Sequence, residues 1–231
     1  MIPIYATTPN RSKPIVSYTI ITINIVIFIY LIMNIKLNYV NQNYGLVPAH
    51  FSYYYISNIS IKQKTFSLIS YMFLHAGLLH IISNMWALFI FGTGVEDRLG
   101  HFRFLLLFFL CGVGSGLTHV LLNLDSFIPT IGASGAVSGV IGAYLILFPK
   151  SKILTFIPLI IIPVFLIEIY AFIFFWIWFI LQFINVMYPE EAIAEIAWWA
   201  HIGGFISGII FVLLDRFLFK KGRIKNGFPR Y

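Results

Sequence analysis

Six long apolar stretches, separated by short polar segments, dominate this sequence and limit the structures it can form. Hydrophobic residues make up 60% of its 231 residues and charged residues only 10%, whereas soluble domains contain roughly 25% charged residues. About 20 apolar residues in a helix cross the hydrocarbon core of a bilayer. We therefore predict an all-α, multi-pass integral membrane protein with six transmembrane helices, at about residues 15–33, 78–95, 102–122, 134–148, 169–186 and 198–218.

The basic residues predict how these spans are oriented. With a cytoplasmic amino terminus, twelve of the fifteen Lys and Arg residues lie on the cytoplasmic side, and only Lys36, Lys62 and Lys64 lie opposite. Cytoplasmic loops carry the excess of basic residues, so we expect both termini in the cytoplasm and place the protein in the cell membrane. The net charge of +7 is scattered between the spans, which argues against a nucleic-acid partner. The predicted organisation is one six-span domain between two short cytoplasmic segments, at residues 15–219, 1–14 and 220–231.

Two of the connecting segments have a character of their own. The interval from 34 to about 74 includes an aromatic cluster at 53–55, which suits the headgroup level of a bilayer. It predicts an interfacial loop with short amphipathic helices. The interval 153–166 contains Pro158 and Pro163, and because proline interrupts helices, we expect a broken interfacial segment there.

The fourth span is too short to cross the membrane fully. From Ser134 to Phe148 it has fifteen residues, which cover roughly 22 Å of a core about 30 Å thick. Ser134 should therefore begin its helix below the surface, after irregular backbone at 125–131. Such backbone is tolerated in a membrane only where it lines protein or a water-filled cavity. The span predicts a serine hydroxyl that water can reach inside the bilayer.

Polar side chains gather at the outer ends of the second, fourth and sixth spans. They are costly in a membrane, so function is the default explanation for them. Small residues at Gly204 and Gly208, and at 135, 139 and 142, would let the sixth and fourth spans pack closely. That packing would bring His201 within reach of Ser134, as a serine nucleophile requires of its general base. The residues concerned are His75, His80, Asn84, Ser134 and His201.

A Ser134–His201 dyad is the simplest catalytic hypothesis. Asp215 lies roughly 21 Å further along the sixth span and cannot complete a triad. His80 and Asn84 are four residues apart and share a helix face. With the backbone N–H of Ser134, they could stabilise an oxyanion, a contribution of roughly 3 to 4 kcal/mol per donor in serine hydrolases.

Four motifs together resemble the rhomboid family of intramembrane serine proteases. They occur in the family's order and span about residues 64–218. The motif at 94–100 follows the second span, and Asn84 and Gly208 extend the match. The motifs are HAGLLH at 75–80, GVEDRLG at 94–100, GASG at 132–135 and WWAHIGG at 198–204.

The resemblance implies a six-helix bundle that cleaves transmembrane segments of other proteins near the outer surface, with no cofactor. It implies Ser134 as nucleophile, His201 as base, and oxyanion binding by His80 and Asn84. It makes His75 a structural neighbour, the fifth span and the loop around Pro189 a gate and lid, and four glycines supporting residues: Gly132, Gly135, Gly204 and Gly208.

Two positions depart from the family's pattern. Some members have a tyrosine four residues after the nucleophile, where it packs on the catalytic histidine, and here that position is Ser138. Some other group must therefore orient His201. The Trp-Arg pair that some members carry in the first outer loop is also absent, so the role of that loop stays open.

Several alternatives remain open from the sequence. The small residues at 132–139 could serve only to pack helices, and the protein could be a catalytically silent relative that binds membrane clients. A transporter or channel would predict paired broken helices and midplane charges, which this sequence lacks. A metal site of His75, His80 and His201 is disfavoured because no HExxH motif or neighbouring carboxylate is present. Substrate identity and oligomeric state are not predicted.

Overall fold

The computed structural model describes residues 1–8, 12–34, 37–52, 59–157, 165–188 and 196–218. Helices make up most of these residues, with short 3-10 turns at Pro48–Phe51 and Tyr71–Phe73. A π-helical turn, Leu88–Gly92, joins α4 and α5 into one continuous rod. The helices are α1 (Ile15–Asn34), α2 (Leu37–Tyr44), α3 (Ile61–Ser70), α4 (Leu78–Ala87), α5 (Thr93–Leu99), α6 (His101–Leu122), α7 (Ser134–Leu147), α8 (Ala171–Met187) and α9 (Trp198–Leu218).

The helices confirm the predicted helical membrane bundle. Among the described residues, four helical stretches are long and apolar enough to cross a membrane, namely α1, the α4–α5 rod, α6 and α9. Two shorter apolar helices, α7 and α8, accompany them. Every residue of α7 from Gly135 to Leu145 is buried. This short helix therefore forms the centre of the bundle and is enclosed by its longer neighbours.

Glycines set the close approach of α7 and α9. A Cβ at Gly204 would overlap the backbone carbonyl of Gly135, and a Cβ at Gly208 would overlap that of Gly139. On the other side of α7, a Cβ at Gly139 would strike Cys111 of α6. The two small-residue strips identified in the sequence thus face each other, backbone against backbone.

A buried carboxylate ties α1 to the rest of the bundle. Glu96 accepts hydrogen bonds from the backbone N–H groups of Val16 at 2.8 Å and Ser17 at 2.7 Å, and from the Ser17 hydroxyl at 2.6 Å. The first N–H groups of a helix have no partner within it, and a negative charge there is favourable. His101 adds a fourth contact, at 2.6 Å from Nδ1. Glu96 thereby positions the beginning of the first span.

We expect Glu96→Gln to lower the free energy of unfolding by about 3 kcal/mol, because an amide cannot accept at both oxygen positions and leaves buried donors unpaired. Thermal unfolding in detergent would measure the loss. Asp97→Asn is the matched control, since Asp97 bonds the exposed Ser12, and it should cost less than about 1 kcal/mol. Equal losses in the two variants would show that burial of Glu96 is not the source of the effect.

The described chain also contains a sheet, which the sequence analysis did not anticipate. Strands β1 (Ile2–Ala6), β2 (Lys152–Ile157) and β3 (Phe165–Tyr170) pair antiparallel in the order β1-β2-β3. The expected broken interfacial segment at 153–166 is therefore wrong for 153–157 and 165–166. Burial alternates along β2, with Ile153 and Thr155 fully buried, and this is the periodicity of a strand.

The sheet also shifts the start of the fifth span. Ile169 and Tyr170 pair with Ile153 and Lys152 in the sheet, so α8 begins at Ala171 rather than at residue 169. Glu168 is exposed and bonds Lys152 at 2.7 Å, and this hydrogen bond raises the pKa of the Lys152 amine. The pair belongs to the strand surface and has no contact with the serine site.

Several predicted features lie outside the described residues. The first connecting interval has the short helices α2 and α3, as expected, but the aromatic cluster at 53–55 is not among the residues described. The same is true of Lys36, the two prolines of the fourth connection, the loop of 189–195 that includes Pro189, and the basic tail.

Candidate active site

The site is built where α7 and α9 begin. Ser134 is the first residue of α7, and His201 lies in the first turn of α9. Their side chains meet, with the Ser134 Oγ 3.0 Å from the His201 Nε2. The contact joins residues 67 positions apart, and the glycine packing of the two helices makes it possible. This is the distance at which an imidazole can take a hydroxyl proton.

The second ring nitrogen of His201 has a partner that sequence reasoning missed. His201 Nδ1 lies 2.8 Å from the Oε1 of Gln182, on α8. Two indoles also lie next to the imidazole, with ring-centroid distances of 6.4 Å for Trp178 and 5.8 Å for Trp198. The side chain that contacts His201 where the sequence lacks the tyrosine is therefore an amide from the neighbouring helix. Ser138, at the tyrosine position, instead donates to the Ser134 carbonyl at 2.7 Å.

A signal for Gln182 was present in the sequence. The stretch of α8 is almost entirely apolar and aromatic, and within it Gln182 is buried, at 6% exposure. A polar side chain in a membrane helix faces the bundle interior by default. Its partner could not be named without the tertiary packing of α8 on α9.

Gly132 shapes the space in front of the serine. Its φ of +123° is a conformation that side chains disfavour. A Cβ there would lie 2.6 Å from the His80 Nε2 and 3.7 Å from the Ser134 Oγ. The His80 imidazole and the Ser134 hydroxyl therefore both border the space that a side chain at position 132 would fill. Tyr71 holds this glycine in place through a hydrogen bond from the Gly132 N–H to its carbonyl, at 2.9 Å.

Asn84 lies on the same helix as His80, but its contact is local. It is buried, and its side-chain amide donates to the His80 carbonyl at 2.8 Å. Within the described chain, no hydrogen bond joins Asn84 to Ser134. Its predicted part in oxyanion binding stays a prediction, whereas its contact with the backbone of His80 is direct.

His75 lies behind His80, in the turn that precedes α4. The two rings are in edge-to-face contact, with centroids 5.1 Å apart. Burial lowers the pKa of His75, and the nearby His80 lowers it further, so the imidazole is neutral at physiological pH. A neutral ring in edge contact fits a packing partner for His80.

The remaining candidates fall into two groups. Gly135, Gly204 and Gly208 line the α7–α9 contact. Asp215 lies at the far end of α9, where its Oδ1 is 3.4 Å from the Nη1 of Arg103. Among the residues that the structure describes, no three His, Cys, Asp or Glu side chains are grouped as a metal site would need.

The reacting groups are accessible although their surroundings are buried. Ser134, His80 and His201 are each partly exposed, whereas Gly132, Ala133 and Gly135 are buried. Because α7 begins at Ser134, the N–H groups of its first turn lack helical acceptors and could bind a developing negative charge. The arrangement brings together a hydroxyl, an imidazole and the first N–H groups of a helix, which is the set of groups that a serine hydrolase would need.

Comparison with known proteins gives one consistent family. The family described as "Rhomboid domain" matches residues 62–216. The chain is 34% identical over 157 residues to "RHOMBOID-like protein 6, mitochondrial" of Arabidopsis thaliana, covering 66% of this chain and 45% of that protein. It is 36% identical over 108 residues to "Rhomboid protein 1, mitochondrial" of Saccharomyces cerevisiae, covering 45% of this chain and 29% of the yeast protein.

A bacterial relative matches a shorter part. The chain is 40% identical over 79 residues to "Putative rhomboid protease YdcA" of Bacillus subtilis, covering 34% of this chain and 39% of that protein. In all three cases the match spans less than half of the relative's own length.

Proposed function

Because this chain belongs to the rhomboid family, we propose that it is an intramembrane serine endopeptidase that uses Ser134 and His201 to cleave transmembrane segments of other membrane proteins. The observation that carries the proposal is the 3.0 Å contact between the Ser134 Oγ and the His201 Nε2. This pair lies at the start of the helix in the centre of the membrane bundle. Helix packing alone would not require a hydroxyl paired with an imidazole at that place.

The residues divide the reaction between them. His201 Nε2 takes the proton of Ser134 as its Oγ bonds to the substrate carbonyl carbon, and the imidazolium then gives that proton to the leaving amine. The negative oxygen of the intermediate is bound by the Ser134 backbone N–H, by His80 and by Asn84, whose side-chain amide also donates to the His80 carbonyl. A water molecule, deprotonated by the same imidazole, then hydrolyses the acyl ester and restores the hydroxyl.

The membrane setting supports one substrate class and one orientation. A peptide bond within a helix is shielded from attack, so the substrates are single-span proteins whose helices unwind readily near the outer leaflet. The distribution of basic residues supports cytoplasmic termini and a site facing the outer side, and we assign the protein to the cell membrane. The reaction needs no cofactor and no nucleic acid.

The test is cleavage of a model single-span protein by the purified chain in liposomes, with a chelator in a parallel sample. We expect cleavage that the chelator leaves unchanged, together with covalent labelling of Ser134 by a fluorophosphonate. A protein that binds the substrate, is not labelled and never cuts would instead be a client-binding relative. Cleavage abolished by the chelator would contradict the serine mechanism.

We expect His80→Ala to lower kcat about a hundredfold with little change in KM, because a lost oxyanion donor weakens only the transition state. Cleavage kinetics across substrate concentrations would separate the two constants. His50→Ala is the matched control, since His50 lies in the 3-10 turn Pro48–Phe51, outside the site. A similar loss of kcat in both variants would contradict the role of His80.

A further inference from the structure

We propose that Gln182 is the positioning residue of this site, holding His201 in the tautomer and orientation that allow its Nε2 to accept the proton of Ser134. The inference rests on the proposed serine protease function and adds to it a third group, a neutral amide from α8. It also assigns α8 a part in catalysis, as the helix that holds the imidazole of the base in its reactive orientation.

The hydrogen bonds of Gln182 fix which of its atoms faces the imidazole. Its Nε2 donates to the Trp178 carbonyl at 3.3 Å, one turn earlier on α8. Its Oε1 is therefore the atom that lies 2.8 Å from the His201 Nδ1. A carbonyl oxygen only accepts hydrogen bonds, so Nδ1 must carry the proton.

The protonation of Nδ1 decides the state of the other ring nitrogen. In a neutral imidazole one nitrogen carries hydrogen and the other is an acceptor. With Nδ1 protonated, the His201 Nε2 presents its lone pair to the Ser134 Oγ at 3.0 Å. The opposite tautomer would point a hydrogen at the hydroxyl and could not take its proton. The amide thus selects the reactive form.

Burial indicates that this contact is the reason for the glutamine. Four residues of α8 are buried, and Gln182 is the only polar residue among them. The other three are Ala171, Phe174 and Phe175. An amide buried without a partner is destabilising, because it loses its hydrogen bonds to water. Both polar ends of this side chain are satisfied, one by its own helix and one by His201. No acidic side chain is hydrogen-bonded to His201 in the described residues, so the amide occupies the place of a triad carboxylate.

An amide suits this position better than a carboxylate would. A buried negative charge pays a desolvation penalty that a single partner repays only in excellent geometry. A neutral amide oxygen accepts the hydrogen bond from the Nδ1–H group without that penalty. Trp178, four residues before Gln182 on the same face of α8, adds its ring beside the imidazole. One helix face therefore holds His201 from the side opposite to Ser134.

Three variants test the proposal in the whole 231-residue chain. Gln182→Leu removes the acceptor and puts an apolar side chain of similar size in its place. Gln182→Glu keeps an acceptor at the same reach. Asn185→Leu removes another amide from the same helix and serves as the matched control. For each variant we would measure the rate constant of Ser134 labelling by a fluorophosphonate, kcat and KM for a transmembrane substrate, and thermal stability.

We expect Gln182→Leu to slow labelling and to lower kcat about ten- to a hundredfold, with KM nearly unchanged. Gln182→Glu should recover labelling to within about tenfold of the wild type, and Asn185→Leu should match the wild type. Labelling does not depend on docking a transmembrane helix, so it reports on the Ser134–His201 pair itself.

A spectroscopic measurement reads the tautomer directly. With ¹⁵N-histidine, the ring nitrogens of His201, assigned by their loss in His201→Ala, should show a protonated Nδ1 and an unprotonated Nε2 in the wild type. Gln182→Leu should populate both tautomers. An unchanged tautomer in this variant would overturn the proposal.

The remaining outcomes distinguish a failure of the role of Gln182 from a failure of the serine protease function. If the wild type is labelled at Ser134 and cuts its substrate, but Gln182→Leu does both at the wild-type rate, only the role of Gln182 fails. Equal losses in Gln182→Leu and Asn185→Leu would reduce it to helix packing and overturn it too. If the wild type is neither labelled nor active, the serine protease function fails, and this inference fails with it.

Discussion

Replacing Ser134 by alanine is expected to lower the rate of substrate cleavage at least about 10⁴-fold. Among the described residues, the Ser134 Oγ is the only oxygen hydrogen-bonded to the His201 Nε2, and the variant removes it. Without a nucleophile, oxyanion donors and substrate binding alone remain, and serine proteases that lose their nucleophile fall by about 10⁶ in kcat. Cleavage measured over hours in liposomes, beside the wild type, would cover this range.

Ser138→Ala is the matched control for this result. Its hydroxyl lies one turn later on the same helix and donates to the Ser134 carbonyl at 2.7 Å, a bond within the helix that the reaction does not need. We expect this variant to stay within a few-fold of the wild type, whereas His201→Ala should be nearly as inactive as Ser134→Ala. The double variant should lose little more, because the two groups act as a unit. Normal cleavage by Ser134→Ala would refute the dyad.

The sequence allowed the dyad to be predicted because its determinants are local patterns. The short fourth span places Ser134 at a helix start, and glycines at fixed spacing on two spans predict their close packing. Once two helix faces must meet, His201 has few places to lie other than beside Ser134. The contact of Gly132 with His80 involves another helix, α4, and it became visible only in the structure, as did the positive φ of Gly132.

Gln182 and the sheet could not be predicted for a different reason, because both depend on contacts between distant segments. An amide in an apolar helix indicates an inward face, but its partner depends on how α8 crosses α9. Strand β2 pairs with β1, about 150 residues earlier in the chain, and with β3. The prediction of a broken segment rested on the two prolines, and a run as short as 152–157 is weak evidence for a strand without its partners.

Adding one methyl group at Gly208 is expected to separate the two halves of the site. The new Cβ of Gly208→Ala would overlap the Gly139 carbonyl oxygen and lie 2.6 Å from its carbonyl carbon. These are backbone atoms, so no change of rotamer relieves the overlap and α9 must move away from α7. We expect a loss of about 3 kcal/mol, which corresponds to roughly 6–12 °C in Tm.

The same displacement should reach the chemistry. Ser134 and His201 lie on the two helices that are forced apart, and a shift of about 1 Å in a catalytic contact lowers rates about a hundredfold. Cleavage measured well below the Tm of Gly208→Ala would separate this effect from unfolding. Gly77→Ala is the matched control, because a Cβ there meets no heavy atom within 4 Å and its backbone is extended. If Gly208→Ala loses stability but keeps full activity, the bundle can absorb the methyl group without moving His201. The glycine contact would then set the stability of the bundle, and the geometry of the base would depend on Gln182 and α8 instead.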